Sequence, residues 1–384
     1  MVSKKYFLPK YIYFPVVMVL IVFLVISIVV LMDIKVQSKN IHSTISILNT
    51  EKILVHILKS ENHYFSPEID EPILSASKMS ALALQLAVTI KPTDARTFLG
   101  NELPGLRLFD TEIVVAGEGT NLTTLPYESS PPVEVLLEER KVAEEKLAQR
   151  NNASDNKPIT NPEHKAVFIY HTHSYESFLP LLKDAKNPND ATSNDDRVNV
   201  VDLGQRLADN LMRQGIGVDH DKTNMAQKLH DKGWKTSKAY TASREIVEAA
   251  AVKNNDLNYF IDIHRDSARR ELTTKTINGE SFARLYFVVG KENKNYLENL
   301  ELVKTLNSEL EKKYPGISRG IFLKTFKDGN GVYNQDISTK AMLLEIGGID
   351  NNLEELDRTV DVFSEILAEY YWNSKEAKEV NKNG

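Results

Sequence analysis

From about residue 165 onward the chain repeats one pattern. A short apolar run of strand length is followed by a longer stretch with apolar residues at helical spacing. Ala166 to Tyr170 is the first such run. Val200, Leu203, Leu207 and Leu211 then mark an amphipathic helix that stops at Gly215. Ile216 to Val218 begins a second strand, and Ile246 to Ala251 belongs to another helix. Tyr259 to Ile263 and Leu285 to Val289 are the third and fourth strands. Tyr296 to Tyr314 is a long helix ended by Pro315-Gly316. Met342 to Ile346 is a further buried strand, and Leu353 to Tyr371 a closing helix. This alternation predicts an α/β domain over residues 165–375, built on a largely parallel sheet flanked by helices. Residues 376–384 are left as a tail.

In such sheets the ligand site lies beyond the carboxyl ends of the strands. Here the first strand ends in Tyr170-His171-Thr172-His173-Ser174-Tyr175-Glu176-Ser177, the third in Asp262-Ile263-His264-Arg265-Asp266, and the last in Leu344-Glu345-Ile346-Gly347. Three strand ends thus deliver His or Glu to one edge. A catalytic zinc takes three His or carboxylate ligands and keeps a fourth position for water, whose proton a nearby carboxylate removes. His173 and Glu176, three residues apart, offer two ligands from one turn. His264 offers the third, and Glu345 is the candidate general base. His171 shares the strand end with His173 and is a further candidate as ligand, as orienter of a ligand or as substrate contact. His220 follows the second strand and is a candidate to polarise a substrate carbonyl, or a turn cap. Arg265 is a candidate to hold a carboxylate or an oxyanion, and Asp266 to order the site. Asn334 and Gln335, beyond Asp328-Gly329-Asn330-Gly331, suit substrate contact or plain turn formation. His42, His56, His63, His164 and His230 read as surface residues.

Composition narrows the chemistry. The 384 residues contain no cysteine, which excludes thiolate zinc sites, disulfides and a cysteine nucleophile. The formal charge of -6 offers no basic surplus for a nucleic-acid partner. Ile12 to Met32 is a near-continuous apolar run broken only by Tyr13, Pro15 and Ser27. About 20 such residues cross a bilayer as a helix. Lys4, Lys5 and Lys10 precede it, so residues 1–11 are expected to form a cytoplasmic tail and 12–32 a single-pass anchor, with the rest extracytoplasmic. Residues 33–130 form an extracytoplasmic N-terminal region with helical periodicity at Ile41 to Leu58 and at Ser75 to Ile90. Residues 131–164 read as a linker, with a charged helical stretch from Glu138 to Arg150 and a polar run from Asn151 to Pro158.

The ordered motifs resemble the stage II sporulation protein P family. Besides the three strand ends, the matching segments are Gly215-Ile216-Gly217-Val218-Asp219-His220-Asp221, Tyr314-Pro315-Gly316, Tyr333-Asn334-Gln335, Thr93 to Gly105 and Glu128 to Leu136. The resemblance implies an amidase/carboxypeptidase-like zinc hydrolase: a membrane-anchored N-acetylmuramoyl-L-alanine amidase with accompanying endopeptidase activity. It implies peptidoglycan as substrate, action in septal thinning and engulfment during sporulation, and stage II sporulation proteins D and M as partners. Related amidases carry their first zinc histidine after a strand as Asp-Pro-Gly-His, which favours His173 over His171 as ligand. The alternatives are a zinc peptidase of stem peptides and a catalytically silent membrane scaffold. Three positions depart from the family pattern: Gly348 where Ser is commoner, Ser267 in place of Ala, and Asp336 after Tyr333-Asn334-Gln335.

Overall fold

The computed structural model describes residues 111–121, 123–126, 131–148, 158–160 and 162–382. All of them belong to the unit Pro104–Gly384. The apolar run at 12–32 and the expected helices at 41–58 and 75–90 lie outside the described residues. Among the described residues, no helix is long and apolar enough to cross a membrane.

The described residues form nine strands: β1 (Glu112–Ala116), β2 (Lys165–Tyr170), β3 (Gly217–His220), β4 (Tyr259–Asp266), β5 (Thr274–Ile277), β6 (Glu280–Ala283), β7 (Leu285–Gly290), β8 (Ser318–Lys324) and β9 (Lys340–Gly348). The longer helices are α1 (Val200–Arg213), α2 (Met225–Asp231), α3 (Ala239–Lys253), α4 (Tyr296–Lys313) and α5 (Leu353–Lys382). Seven strands make one sheet in the order β1-β8-β7-β9-β4-β2-β3, while β5 and β6 pair separately. The pairings β3/β2, β2/β4, β4/β9 and β7/β8 are parallel. Those of β7 with β9 and of β1 with β8 are antiparallel. The α/β architecture is as the sequence predicts, but the sheet is mixed. The direction of β7 is set by whether its connection recrosses the sheet, and local periodicity does not carry that information.

Each element has a local cause. Helix α1 buries Val200, Leu203, Leu207 and Leu211 on one stripe, and the Asn199 side chain accepts a hydrogen bond from Val201 N at its start. Its end is a Schellman turn. Gly215 adopts φ +80°, its N–H bonds Met212 O, and Ile216 N bonds Leu211 O. The larger core covers one sheet face: Ile169, Ile261, Ile263, Phe287, Leu344 and Ile346 pack under α1, α4 and α5. The other face carries Phe168, Tyr170, Phe260 and Ala341 beneath Val247 of α3, with Tyr286, Phe322, Tyr333 and Leu343 alongside.

Part of the stretch expected as a linker is packed on the domain. Val133 joins Met225 and Leu229, and Leu136 joins Tyr175 and Ala226. Ala143 N bonds Leu181 O, and Lys183 N bonds Lys141 O. Of the helical stretch expected from Glu138 to Arg150, a short helix over Glu144–Ala148 is present. Strand β1, from the region assigned N-terminal to the linker, completes one edge of the sheet.

Candidate metal centre

β2 and β4 are register neighbours, as are β4 and β9, so their carboxyl ends come together. Past β2 the chain turns tightly: Glu176 N bonds His173 O, which folds the two side chains toward each other. His173, Glu176 and His264 are all buried, with ligand atoms within 4.8 Å of one another. Glu176 Oε1 lies 3.3 Å from His173 Nδ1, and Oε2 lies 3.4 Å from His264 Nδ1. Two ligands held at 2.0–2.1 Å in tetrahedral geometry sit roughly 3.4 Å apart, so a set of ligand atoms within 4.8 Å of one another closes on zinc with a small side-chain adjustment. His264 supplies a second indication of fit. Both of its ring nitrogens are buried, and neither makes a hydrogen bond of good geometry, although Asp262 Oδ1 lies 3.1 Å from Nε2.

The electrostatics point the same way. Burial alone would raise the Glu176 carboxyl, but His264 and His173 beside it outweigh that and hold it well below the usual carboxylate range. Burial would lower the His264 imidazole, but Asp262 and Glu176 outweigh it and hold the ring well above its usual value. Two buried carboxylates around one imidazole make a site that favours a cation. Glu345 is fully buried on β9 and is the register partner of His264, so the two side chains leave the same sheet face. Glu345 therefore stands on the strand next to the one that carries His264.

Aromatic rings brace the ligands. Tyr175 stacks on His173 at 5.5 Å between centroids, and Tyr240 stacks on His264 at 6.3 Å and meets His173 edge-on at 5.7 Å. Sequence reasoning did not single out Tyr240, because nothing local marks a tyrosine in the first turn of α3 as facing the metal ligands.

The other candidates lie elsewhere. His171 and His220 are not in the cluster; they pair with each other, Nε2 to Nε2 at 2.9 Å. His220 is the register partner of Ile169, whose side chain belongs to the core under α1. The pair therefore sits on the face opposite His264, against Gly204 of α1. A Cβ at Gly204 would come within 2.6 Å of His171 Nε2 and 2.7 Å of His220 Nε2. Burial lowers His171 to about 4. Burial, then the neighbouring His171, lowers His220 to about 2. Of the two histidines after β2, the structure brings His173 to the site.

Arg265 follows His264 and so leaves the other sheet face. Its guanidinium is buried and donates to Ser177 O, Ala191 O, Asp266 O and Ser267 Oγ. Its backbone N–H is the part that meets the site, donating to Glu176 Oε2 at 3.0 Å. Asp266 forms a buried ion pair with Arg319 of β8. Gln335 is buried, accepting from Gly290 N and donating to Val288 O. His164 is exposed and contacts Asp256. The three departures from the family pattern have local partners: Gly348 backs onto Ala268 O where a Cβ would come within 2.4 Å, Ser267 accepts from Arg265, and Asp336 pairs with Arg244.

Comparison with known proteins gives one answer. The family model described as Stage II sporulation protein P matches residues 93–368, a span that holds every candidate site residue from His171 to Glu345. The protein named Stage II sporulation protein P of Bacillus subtilis (strain 168) is 45% identical over 328 residues, which is 84% of this chain and 81% of that protein. The chain belongs to the Stage II sporulation protein P family.

Proposed function

We propose that this chain is a zinc-dependent peptidoglycan hydrolase that cuts the amide between N-acetylmuramic acid and L-alanine during sporulation. The observation that carries the reading is the buried His173, Glu176 and His264 cluster, with Glu345 in register beside it. His173, Glu176 and His264 would hold a zinc ion, which would supply Lewis acidity for activating water. Glu345 takes the proton of the attacking water and delivers it to the leaving amine. Tyr175 and Tyr240 keep the two imidazoles from rotating, and Arg265 holds the loop after Glu176 in place. The expected anchor at 12–32 would keep the domain at the membrane on the extracytoplasmic side. Action in septal thinning and engulfment, and partnership with stage II sporulation proteins D and M, follow from family membership as further parts of the proposal.

The test is digestion of purified sacculi by the full chain loaded with zinc. New L-alanine N-termini support the amidase reading. Cleaved cross-links without them would make the chain a stem-peptide peptidase. Intact sacculi with the metal bound would refute hydrolysis and leave a membrane scaffold.

A further inference from the structure

Asp262 has no part in the chemistry proposed above, yet it is the most completely engaged carboxylate near the site. It is fully buried on β4, two residues before His264 and therefore on the same face of the strand. Its Oδ1 accepts from Thr172 N at 2.9 Å and lies 3.1 Å from His264 Nε2. Its Oδ2 lies 2.6 Å from Thr172 Oγ1, which lies 2.8 Å from Ser243 Oγ. A hydroxyl has one proton, and a carboxylate is the stronger acceptor, so the Thr172 proton goes to Asp262. The Ser243 hydroxyl then has two acceptors in reach, the Thr172 oxygen and Tyr240 O at 3.3 Å. Asn334 Nδ2 donates to Ser243 Oγ at 2.9 Å and closes the chain. Asn334 and the preceding Tyr333 both have φ +55°, a conformation that few non-glycine residues adopt. The turn is held from the other side by Tyr333, whose buried ring meets Tyr240 edge-on at 5.1 Å, and Tyr240 in turn stacks on His264.

We infer that Asp262 is a positioning residue that fixes the proton of His264 on Nε2, so that Nδ1 is the atom offered to the metal, and that the Thr172–Ser243–Asn334 chain ties this ligand to the Tyr333–Asn334 turn. The geometry admits this assignment because the two ring nitrogens face different carboxylates. Nε2 lies 3.1 Å from Asp262 Oδ1, short of a well-aligned hydrogen bond, and Thr172 holds that carboxylate in place while leaving it lone pairs for the ring N–H. Nδ1 faces Glu176, which belongs to the ligand cluster. A carboxylate behind a ligating imidazole fixes its tautomer and raises its basicity, and losing one typically weakens metal binding about 10–100-fold. The inference rests on the metal reading of the preceding section.

The experiment measures Co2+ affinity, by competition with a chromogenic chelator, and the visible d–d spectrum of the bound ion. It compares the full-length chain in detergent with Asp262→Asn and Thr172→Val. Asp262→Asn is expected to weaken Co2+ binding about 10–100-fold and to shift the bands, because the ring is free to turn. Thr172→Val is expected to weaken it by about 2–10-fold, the worth of one hydrogen bond, and to add little in the Asp262→Asn background. Circular dichroism identifies which variants are folded, and Thr172→Val carries the test if Asp262→Asn is not. A wild-type chain that binds no Co2+ overturns the metal reading and the inference with it. Equal affinity and unchanged bands in a folded variant overturn the inference alone.

Discussion

Arg265 separates two accounts of the same sequence motif. As a catalytic group, it would hold charge on the substrate. In the structure its guanidinium lies on the sheet face opposite His264 and clamps the loop that follows Glu176. The perturbation is Arg265→Met, which keeps most of the stem and removes the charge and the donors. Ser177 O and Ala191 O each lose a charged donor at 2.9 Å. Such bonds are worth about 1.5–3 kcal/mol each, giving roughly 3–6 kcal/mol with little added from the longer contact to Asp266 O. Relief of the cost of burying a cation offsets part of this, so a net loss of about 3 kcal/mol is expected. For a domain of this size that lowers Tm by roughly 6–12 °C. The assay is thermal and urea unfolding followed by circular dichroism, with turnover of sacculi measured well below the new Tm. Turnover per folded molecule should stay within about threefold of wild type, since 0.6 kcal/mol corresponds to that factor. An unchanged Tm with turnover reduced a hundredfold would refute the reasoning and return Arg265 to the chemistry.

Glu345→Gln should retain metal and lose about 10²–10⁴-fold in turnover, read from sacculus digestion beside a metal assay. Retained turnover would remove Glu345 as the base. Gly204→Ala should destabilise by about 1–3 kcal/mol through overpacking against the His171–His220 pair, while Co2+ affinity stays unchanged. A drop in affinity would place that pair in the metal site after all. The same pair predicts a pH dependence. Both imidazoles are held below their usual value of about 6.5, so as pH falls below that point the unfolded chain takes up protons that the folded chain does not. Stability contributed by their neutral forms is present above about pH 6.5 and is lost progressively toward pH 4. His220→Gln should flatten that slope in urea midpoints taken across the range, and an unchanged slope would contradict the burial argument.

The strands and helices that carry the site were legible because their periodicity is strong. Val200 to Leu211 declares α1, and Tyr259 to Ile263 declares β4. The clustering of His173, Glu176 and His264 was legible for a related reason: strand ends in a parallel sheet share an edge, so side chains that follow separate strands could be gathered there from the sequence. What failed was parity across the sheet. His171 and His220 stand at the correct end but on the wrong face, and strand pairing, not local spacing, decides that. β8 was hidden because Arg319 and Lys324 punctuate it; both are buried, Arg319 against Asp266 and the ring of Tyr286. β1 lay in a region that looked irregular, and its place depends on β8. Asp262 and Tyr240 gave no signal, since a carboxylate in a strand or a tyrosine in a helix acquires meaning only from what it faces.

The sheet order has a consequence for the order of synthesis. Among the described residues β9 is the last strand in the sequence, and it lies in the middle, between β4 and β7. Until it inserts, β3-β2-β4 and β7-β8-β1 have no strand in common, so the chain holds two half-sheets with a gap between them. Glu345 rides on that closing strand. A chain released before residue 340 would carry His173, His264 and Glu176 but not Glu345, the proposed base, and non-local pairing of this kind forms late and slowly. Insertion of β9 would thus serve as a safety catch: the strand that closes the sheet is the strand that brings Glu345, the proposed proton acceptor.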